Sequence, residues 1–392
     1  MKKNETLTRR GFLTTSAAVT TGAMLTACGA SKTLTNETKE EKIIYRTLGR
    51  TNLKLPIVSM GVMRADNPNL VTAALKLGMT HFDTAHVYQG GKNEEMVGNI
   101  FQNIPRDSFT MATKIHPGRE QLSTAKFLEK LDISLKRLKM DYVDILYLHS
   151  AKNREFTLNE EYLNALTKAQ EQGKTRYIGV STHSHEPEVL QAAIDAKIYD
   201  VALVAYNFKQ DHRKEMDEMI AKAANAGIGI VGMKTMAGGF LDKAKTKPVN
   251  CKAALKWALN NPNIHTTIPG FTTFDQLMEN FSVMADLKLT ADEEKDLALA
   301  FNESGLFCNG CKQCVAQCKK HLPIPDLMRA YMYNYGYNYP AKAKDTVAAC
   351  NISNNPCEDC SECIVHCVKQ FNVAEKIADI SRIQHVPNEF LA

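Results

Sequence analysis

Residues 109–149 read FTMATKIHPGREQLSTAKFLEKLDISLKRLKMDYVDILYLH. Two short apolar runs, FTMATKI (109–115) and VDILYLH (143–149), flank TAKFLEKLDISLKRLKM (124–140), which is patterned as an amphipathic helix. Strand, helix, strand is the repeating unit of a parallel sheet. The rhythm extends outward in both directions, from Tyr45 to about Met284. Further strands are predicted at PIVSMG (56–61), THFDTA (80–85), RYIGVS (176–181), VALVAYN (201–207), GIGIVGM (227–233) and IHTTIPG (264–270). Helical stretches such as DHRKEMDEMIAKAANAG (211–227) separate them, and FDQLMENFSVMADL (274–287) follows the last. Eight strands, each followed by a helix, make an α/β chain with the count of a (β/α)8 TIM barrel. An open, doubly wound sheet shares the rhythm, but the first strand–helix turn lacks the G-x-G-x-x-G phosphate loop.

In a barrel the catalytic groups sit where strands end, on the carboxyl-terminal face. Asp83 ends the second predicted strand, with Tyr88 in the loop after it, while Lys114 and His149 close the third and fourth. These four converge on one mouth although they are far apart in sequence. The segments YRTLGRTNLKLPIVSMG (45–61), THFDTAHVYQGGKNEEMVG (80–98), ATKI (112–115), DYVDILYLH (141–149) and GKTRYIGVST (173–182) together resemble the aldo-keto reductase family. The resemblance runs over roughly residues 44 to 286. It implies a nicotinamide-dependent oxidoreductase in which Asp83, Tyr88, Lys114 and His149 form the catalytic tetrad.

The chemistry calls for these residue types. Hydride transfer to a carbonyl leaves an alkoxide, so a proton donor must stand beside the oxygen. A phenol of ordinary pKa ~10 is a reluctant acid at neutral pH, and a nearby ammonium is expected to lower it. Lys114 supplies that charge, Asp83 keeps Lys114 ionised, and His149 hydrogen-bonds the carbonyl oxygen. Singly, each has a plainer reading: a structural ion pair, a rim aromatic, a core histidine.

On the cofactor side the resemblance points to Ser181, Thr182, Met233, Lys234, Gly270, Glu279 and Asn280. Glu279 and Asn280 match the family's adenine-binding pair, and Ser181 fits its nicotinamide-binding pattern. Thr182 replaces an Asn, Leu203 a Gln, and Met233 a stacking aromatic. Gly270 and Gln276 stand where the family grips the 2′-phosphate of NADPH with a Lys and an Arg, so either NADP or NAD is expected as the cofactor.

After Asn302 the pattern changes. CNGCKQCVAQC (308–318) and CEDCSECIVHC (357–367) each place four cysteines as C-x2-C-x2-C-x3-C, separated by residues 319–356. The runs resemble the cluster-binding segments of two-cluster bacterial ferredoxins, which implies two [4Fe–4S] clusters held by Cys308, Cys311, Cys314, Cys318, Cys357, Cys360, Cys363 and Cys367. In that family the fourth cysteine of each run serves the other cluster. Neither run ends in the usual proline: Lys319 and Val368 follow instead. Disulfides and a zinc ion held by four thiolates are the alternatives, though zinc motifs space their cysteine pairs farther apart.

At the amino terminus TLTRRGFLTT (6–15) resembles a twin-arginine export motif, followed by an apolar stretch too short for a stable span. Leu25-Thr26-Ala27-Cys28 resembles a lipobox, with Cys28 as the lipidated residue. The plainer reading is a disordered basic tail. Folded export would let clusters be built before the chain leaves the cytoplasm, so the two ends of the sequence fit each other. The formal net charge of +5 falls largely on Lys2, Lys3, Arg9 and Arg10 of this segment, and no basic, aromatic-interleaved patch suggests nucleic acid.

The organisation expected is an export signal (1–28), a polar linker (29–43), an aldo-keto reductase-like barrel (44–302) and a small helical, ferredoxin-like iron–sulfur module (303–392). The function expected is that of an exported enzyme, periplasmic or anchored as a lipoprotein, acting on a small carbonyl or alcohol with a redox partner protein. The alternative is an electron-transfer or docking protein on a barrel with little turnover. Hydride carries two electrons and each cluster takes one, so direct exchange needs an intermediary such as a flavin, for which no motif is visible.

Overall fold

A short antiparallel hairpin comes first, β1 (Tyr45–Thr47) against β2 (Lys54–Pro56). Eight parallel strands follow in chain order: β3 (Met60–Gly61), β4 (His81–Asp83), β5 (Thr110–Ile115), β6 (Val143–Ala151), β7 (Thr175–Thr182), β8 (Val201–Ala205), β9 (Gly229–Met233) and β10 (Thr266–Thr267). The sheet closes on itself where Val58 bridges Thr267 in parallel. There Ser59 N donates to Thr267 O at 2.8 Å and Thr267 N donates to Ile57 O at 2.9 Å. The predicted barrel is therefore the observed one, and the open-sheet alternative is excluded. This computed structural model describes residues 43–391 apart from 119–121, 304 and 361. The expected export signal with Cys28, and the linker up to residue 42, lie outside the described residues.

Each barrel strand leads into a helix whose apolar stripe covers the sheet. Thr124–Leu138 shows the local logic: Ser123 Oγ accepts from Lys126 N at the start, and Lys139, at φ 56°, ends it in the left-handed region. Between these ends Phe127, Leu131, Leu135 and Leu138 are buried. Inside the barrel Ala112, Ile145, Tyr147, Val201, Leu203 and Val231 form a second core. Gly179 makes room for it, since a Cβ there would lie 2.4 Å from the Tyr147 ring. Residues 45–56, ahead of the first barrel strand, form the hairpin. Its neighbourhood sends Leu48, Leu53 and Leu55 into the same core, so the hairpin plugs the barrel at the end away from Asp83, Lys114 and His149.

Beyond the barrel helix Phe274–Phe281, the capping box of Thr290 and Glu293 opens helix Ala291–Asn302. Three further helices of eight residues or more follow, Ile324–Tyr335, Pro340–Ala349 and Val373–Ser381. Their core of Leu327, Met328, Tyr331, Val347 and Ile377 is continuous with Phe208, Ala237, Ala253 and Ala254 of the barrel. Polar contacts fix the same seam. Buried Lys209 donates from Nζ to Ala300 O at 2.5 Å and Glu303 O at 2.6 Å. Asp211 accepts from Asn309 Nδ2 at 2.5 Å and pairs with Lys369 Nζ at 2.8 Å. The carboxyl-terminal segment is thus seated on the barrel, and the chain from Lys42 onward is one compact unit. Among the described residues no helix is long and apolar enough to cross a membrane.

Candidate active site

Parallel pairing brings the strand ends into one rim. Asp83 lies opposite Ala112, and Lys114 opposite Tyr147, so Asp83, Lys114 and His149 rise from three adjacent strands. Lys114 Nζ forms a buried ion pair with Asp83 and donates to Thr84 O at 2.6 Å. The same nitrogen stands 3.4 Å from the Tyr88 hydroxyl. Tyr88 is delivered by the turn Tyr88–Gly91, in which Gln89, Gly90 and Gly91 have φ of 51°, 63° and 97°. At Gly91 the positive φ favours glycine, and a Cβ there would press on the end of the Arg137 side chain. The turn is held from beneath by Asn93, whose Nδ2 donates to Val62 O at 2.7 Å while its Oδ1 accepts from Thr84 Oγ1 at 2.6 Å. The His149 ring meets Tyr88 edge to face with centroids 5.9 Å apart.

Tyr88 and His149 face a chamber of about 830 Å3, a volume suited to a small-molecule site. Burial pulls Asp83 and Lys114 toward their neutral forms, and their mutual attraction opposes this in both. Burial also raises the Tyr88 phenol well above its ordinary value, and the Asp83 carboxylate acts in the same direction. The expected lowering of Tyr88 by Lys114 is therefore not what this geometry produces. The ammonium is committed to Asp83 and Thr84 O, and desolvation of the phenolate outweighs it. Tyr88 is consequently fully protonated at neutral pH. His149 is held well below its usual range by burial, so its ring is neutral.

The residues suggested for cofactor binding divide into two groups. Met233, Lys234 and Gly270 line the chamber. Ser181 and Thr182 are buried and engaged elsewhere: Ser181 Oγ accepts from Ser150 N at 2.9 Å, and Thr182 Oγ1 donates to Ser184 O at 2.7 Å. Glu279 and Asn280 sit on helix Phe274–Phe281, where Asn280 Nδ2 donates to Gln276 O at 2.7 Å and its buried Oδ1 is left without a partner. Gln276 itself accepts from Thr272 N at 2.9 Å. Leu203 is buried inside the barrel.

The sequence reading missed several chamber residues. His116 and His183 each come one position after a strand, β5 and β7, so the strand-end rule that selected Asp83 would have found them. Arg329, Tyr333, Tyr337 and Lys342 also line the chamber. They come from the carboxyl-terminal helices and, for Tyr337, the turn between them, and nothing local in their sequence announces that this segment covers the barrel mouth.

The cysteine runs meet beside this seam. Cys308, Cys311, Cys314 and Cys367 line one recess together with Met328 and Phe371. Burial raises the Cys308 thiol to about 12, and neighbouring Cys367, Cys314 and Cys311 add to the effect. Cys357 is raised by burial and then by Cys360, Cys363 and Cys318. Among the described residues the eight cysteines of the two runs form no disulfide with one another. Among the described residues no three His, Cys, Asp or Glu side chains stand close enough to hold a single metal ion.

The sequence model of the aldo/keto reductase family matches residues 55–253. Methylglyoxal reductase DkgB of Salmonella typhi is 30% identical over 260 residues, covering 63% of this chain and 93% of that protein. L-galactose dehydrogenase of Arabidopsis thaliana is 26% identical over 299 residues, covering 66% and 93%. In three dimensions the chain resembles the holo form of aldo-keto reductase AKR11C1 from Bacillus halodurans, with a TM-score of 0.56 at 22% identity over 66% of this chain and 96% of that one. The chain belongs to the aldo/keto reductase family. It is an NAD(P)-dependent oxidoreductase. The alternative of a docking protein without turnover finds no support in these relationships.

Proposed function

We propose that this protein reduces a small carbonyl compound, or oxidises the corresponding alcohol, in the chamber above Tyr88. The observation that carries the reading is the meeting of Asp83, Lys114, Tyr88 and His149 at one strand-end rim open to that chamber. Bound NAD(P)H supplies the hydride. Tyr88, protonated and beside Lys114, gives its proton to the carbonyl oxygen as negative charge develops there. Lys114 then stabilises the phenolate, and Asp83 fixes the Lys114 ammonium. Neutral His149 orients the carbonyl through a hydrogen bond. Met233, Lys234 and Gly270 are the chamber residues best placed to meet the nucleotide, with Glu279 and Asn280 toward its adenine end. Ser181 and Thr182 would have to exchange their present partners to join them. Relatives named for methylglyoxal and L-galactose favour a small polar carbonyl or a sugar as substrate.

The same reading takes the carboxyl-terminal segment as an iron–sulfur module. Cys308, Cys311, Cys314 and Cys367 would hold one [4Fe–4S] cluster, and Cys357, Cys360, Cys363 and Cys318 the other. The shared recess and the mutual influence of these thiols favour this crossed arrangement over two self-contained runs. Residues 1–28 are proposed to export the folded protein by the twin-arginine route, with lipid attachment at Cys28 and a redox partner outside the cytoplasm. Anaerobic purification with iron, sulfide and nucleotide quantified on one sample, and turnover of an aldehyde followed by nicotinamide absorbance, tests the reading. Absence of turnover with both NADH and NADPH removes the enzymatic proposal. Iron well short of eight per chain, about four for each of two clusters, removes the cluster proposal.

A further inference from the structure

The chamber has two walls of different origin. The barrel supplies Tyr88, His116, His149 and His183, while helices Ile324–Tyr335 and Pro340–Ala349 bring Arg329 and Lys342 across the opening. Six Lys or Arg side chains line the space against three Asp, and one of those, Asp83, is committed to Lys114. His116, His149 and His183 add no charge at neutral pH. Burial holds His116 at about 4 and His183 well below its usual range. Of the six basic side chains, Arg64, Lys152 and Lys234 belong to the barrel, and Lys312, Arg329 and Lys342 to the carboxyl-terminal wall.

Arg329 and Lys342 are presented differently. Asp326 holds one Nη of Arg329, leaving the rest of the guanidinium fork for another acceptor. Lys342 has no ion-pair partner among the described residues, although it is largely removed from water; Asp345 attracts it without pairing. A desolvated ammonium without a paired counter-charge is unfavourable until an anion meets it. Its field falls on His116 and His149, on the side of the proton donor. Gly270, where the family meets the cofactor's 2′-phosphate, belongs to the loop after β10 instead.

We propose that this site selects carbonyl compounds carrying a carboxylate, which Lys342 and Arg329 hold while Tyr88 and His149 engage the carbonyl. The inference rests on the carbonyl-reductase reading above. It makes the carboxyl-terminal segment a determinant of specificity for the barrel's chemistry.

The test compares 4-carboxybenzaldehyde with 4-nitrobenzaldehyde, which share a shape and differ in charge, on the full, anaerobically prepared protein. The ratio of their kcat/KM values is expected to fall about ten-fold or more in Lys342→Met and in Arg329→Met, as a charge-assisted contact is lost. Lys342→Arg should retain much of the ratio. A ratio that stays within about two-fold of the parent in both methionine variants, well under the ten-fold of a lost charged contact, overturns the proposal. If the variants do not fold, inhibition of the parent decides. Terephthalate should inhibit nitrobenzaldehyde reduction far better than neutral terephthalamide, and equal inhibition sinks the idea. If neither aldehyde turns over, the carbonyl-reductase reading has failed on its own account. Calorimetric binding of terephthalate to the parent and to Lys342→Met then settles the anion site, with undiminished binding in the variant counting against it.

Discussion

Lys114 Nζ stands 3.4 Å from the Tyr88 hydroxyl while it is paired with Asp83. The lysine therefore serves two oxygens, one charged from the outset and one that becomes charged when Tyr88 gives up its proton. That asymmetry sets what removal of each partner should do.

Tyr88→Phe removes the proton donor and leaves the rest of the rim in place. Carbonyl reduction is expected to fall by ~10²–10⁴-fold, with nucleotide affinity close to that of the parent. Steady-state turnover and a nucleotide titration measure the two quantities separately. Turnover within a few-fold of the parent removes Tyr88 from the mechanism.

Asp83→Asn strands a buried ammonium. Breaking a buried pair from one side typically costs about 3–5 kcal/mol, read here as a shift in denaturant midpoint. Replacing both partners, Asp83→Leu with Lys114→Met, should recover much of that stability and none of the turnover. Recovery of turnover in the double variant would show that the pair serves only the fold.

NADH is expected to bind at least as well as NADPH. Gly270 offers no charge to a 2′-phosphate, and the Gln276 side chain is occupied by Thr272 N. Fluorescence titration of both nucleotides checks this. A preference for NADPH of about ten-fold or more, some 1.4 kcal/mol, would require another basic group, with Lys234 of the chamber wall the first to replace.

Acid should destabilise the protein over a defined window. Burial holds His81 and His116 at about 4 and His86, also beside Arg137, at about 4. Unfolded histidine takes its proton near 6.5, so below that pH the unfolded state binds more protons than the folded one. The stabilising contribution is complete above about 6.5 and is lost as pH falls toward 4. For fully buried His81 the loss is on the order of 3 kcal/mol. His81→Leu should flatten the pH dependence of the unfolding free energy in this window. A profile as steep as the parent's would discount His81.

If the crossed cluster assignment holds, Cys367→Ala should disable the cluster shared with Cys308, Cys311 and Cys314 and spare the one held by Cys357, Cys360, Cys363 and Cys318. Iron content and electron paramagnetic resonance of the dithionite-reduced variant distinguish this from loss of the second cluster. Selective loss of the latter would mean that each run closes on itself.

The barrel was legible because its signals are local. An apolar run ending in Lys114 or His149, followed by a helix such as Thr124–Leu138, carries its own assignment, and strand order then places the ends together. The hairpin at Tyr45–Pro56 was less legible, since β1 and β2 are three residues each and Leu48, Leu53 and Leu55 are buried by a barrel not yet in view. Arg329 and Lys342 were invisible as site residues. Their helices read as an ordinary insert between cysteine runs, and their place over Tyr88 depends on contacts such as Asp211 with Lys369, 158 positions apart. For Ser181 and Thr182 the resemblance supplied the role, and the fold shows their hydroxyls bonded to Ser150 N and Ser184 O.

The covering of the barrel mouth by residues far along the chain also bears on the order of folding. Barrel strands pair with their immediate successors, and the ring closes once Thr267 reaches Val58. All of this sequence precedes the helices that carry Arg329 and Lys342. Loop-closure entropy favours the nearer pairings first, so the carboxyl-terminal wall is expected to dock on a barrel already formed. Pulsed hydrogen exchange during refolding should then protect the amides of Thr110–Ile115 and Val143–Ala151 before those of Ile324–Tyr335. Simultaneous protection would contradict this order. On this sequence of events the catalytic rim stays exposed to solvent until the carboxyl-terminal wall docks over it.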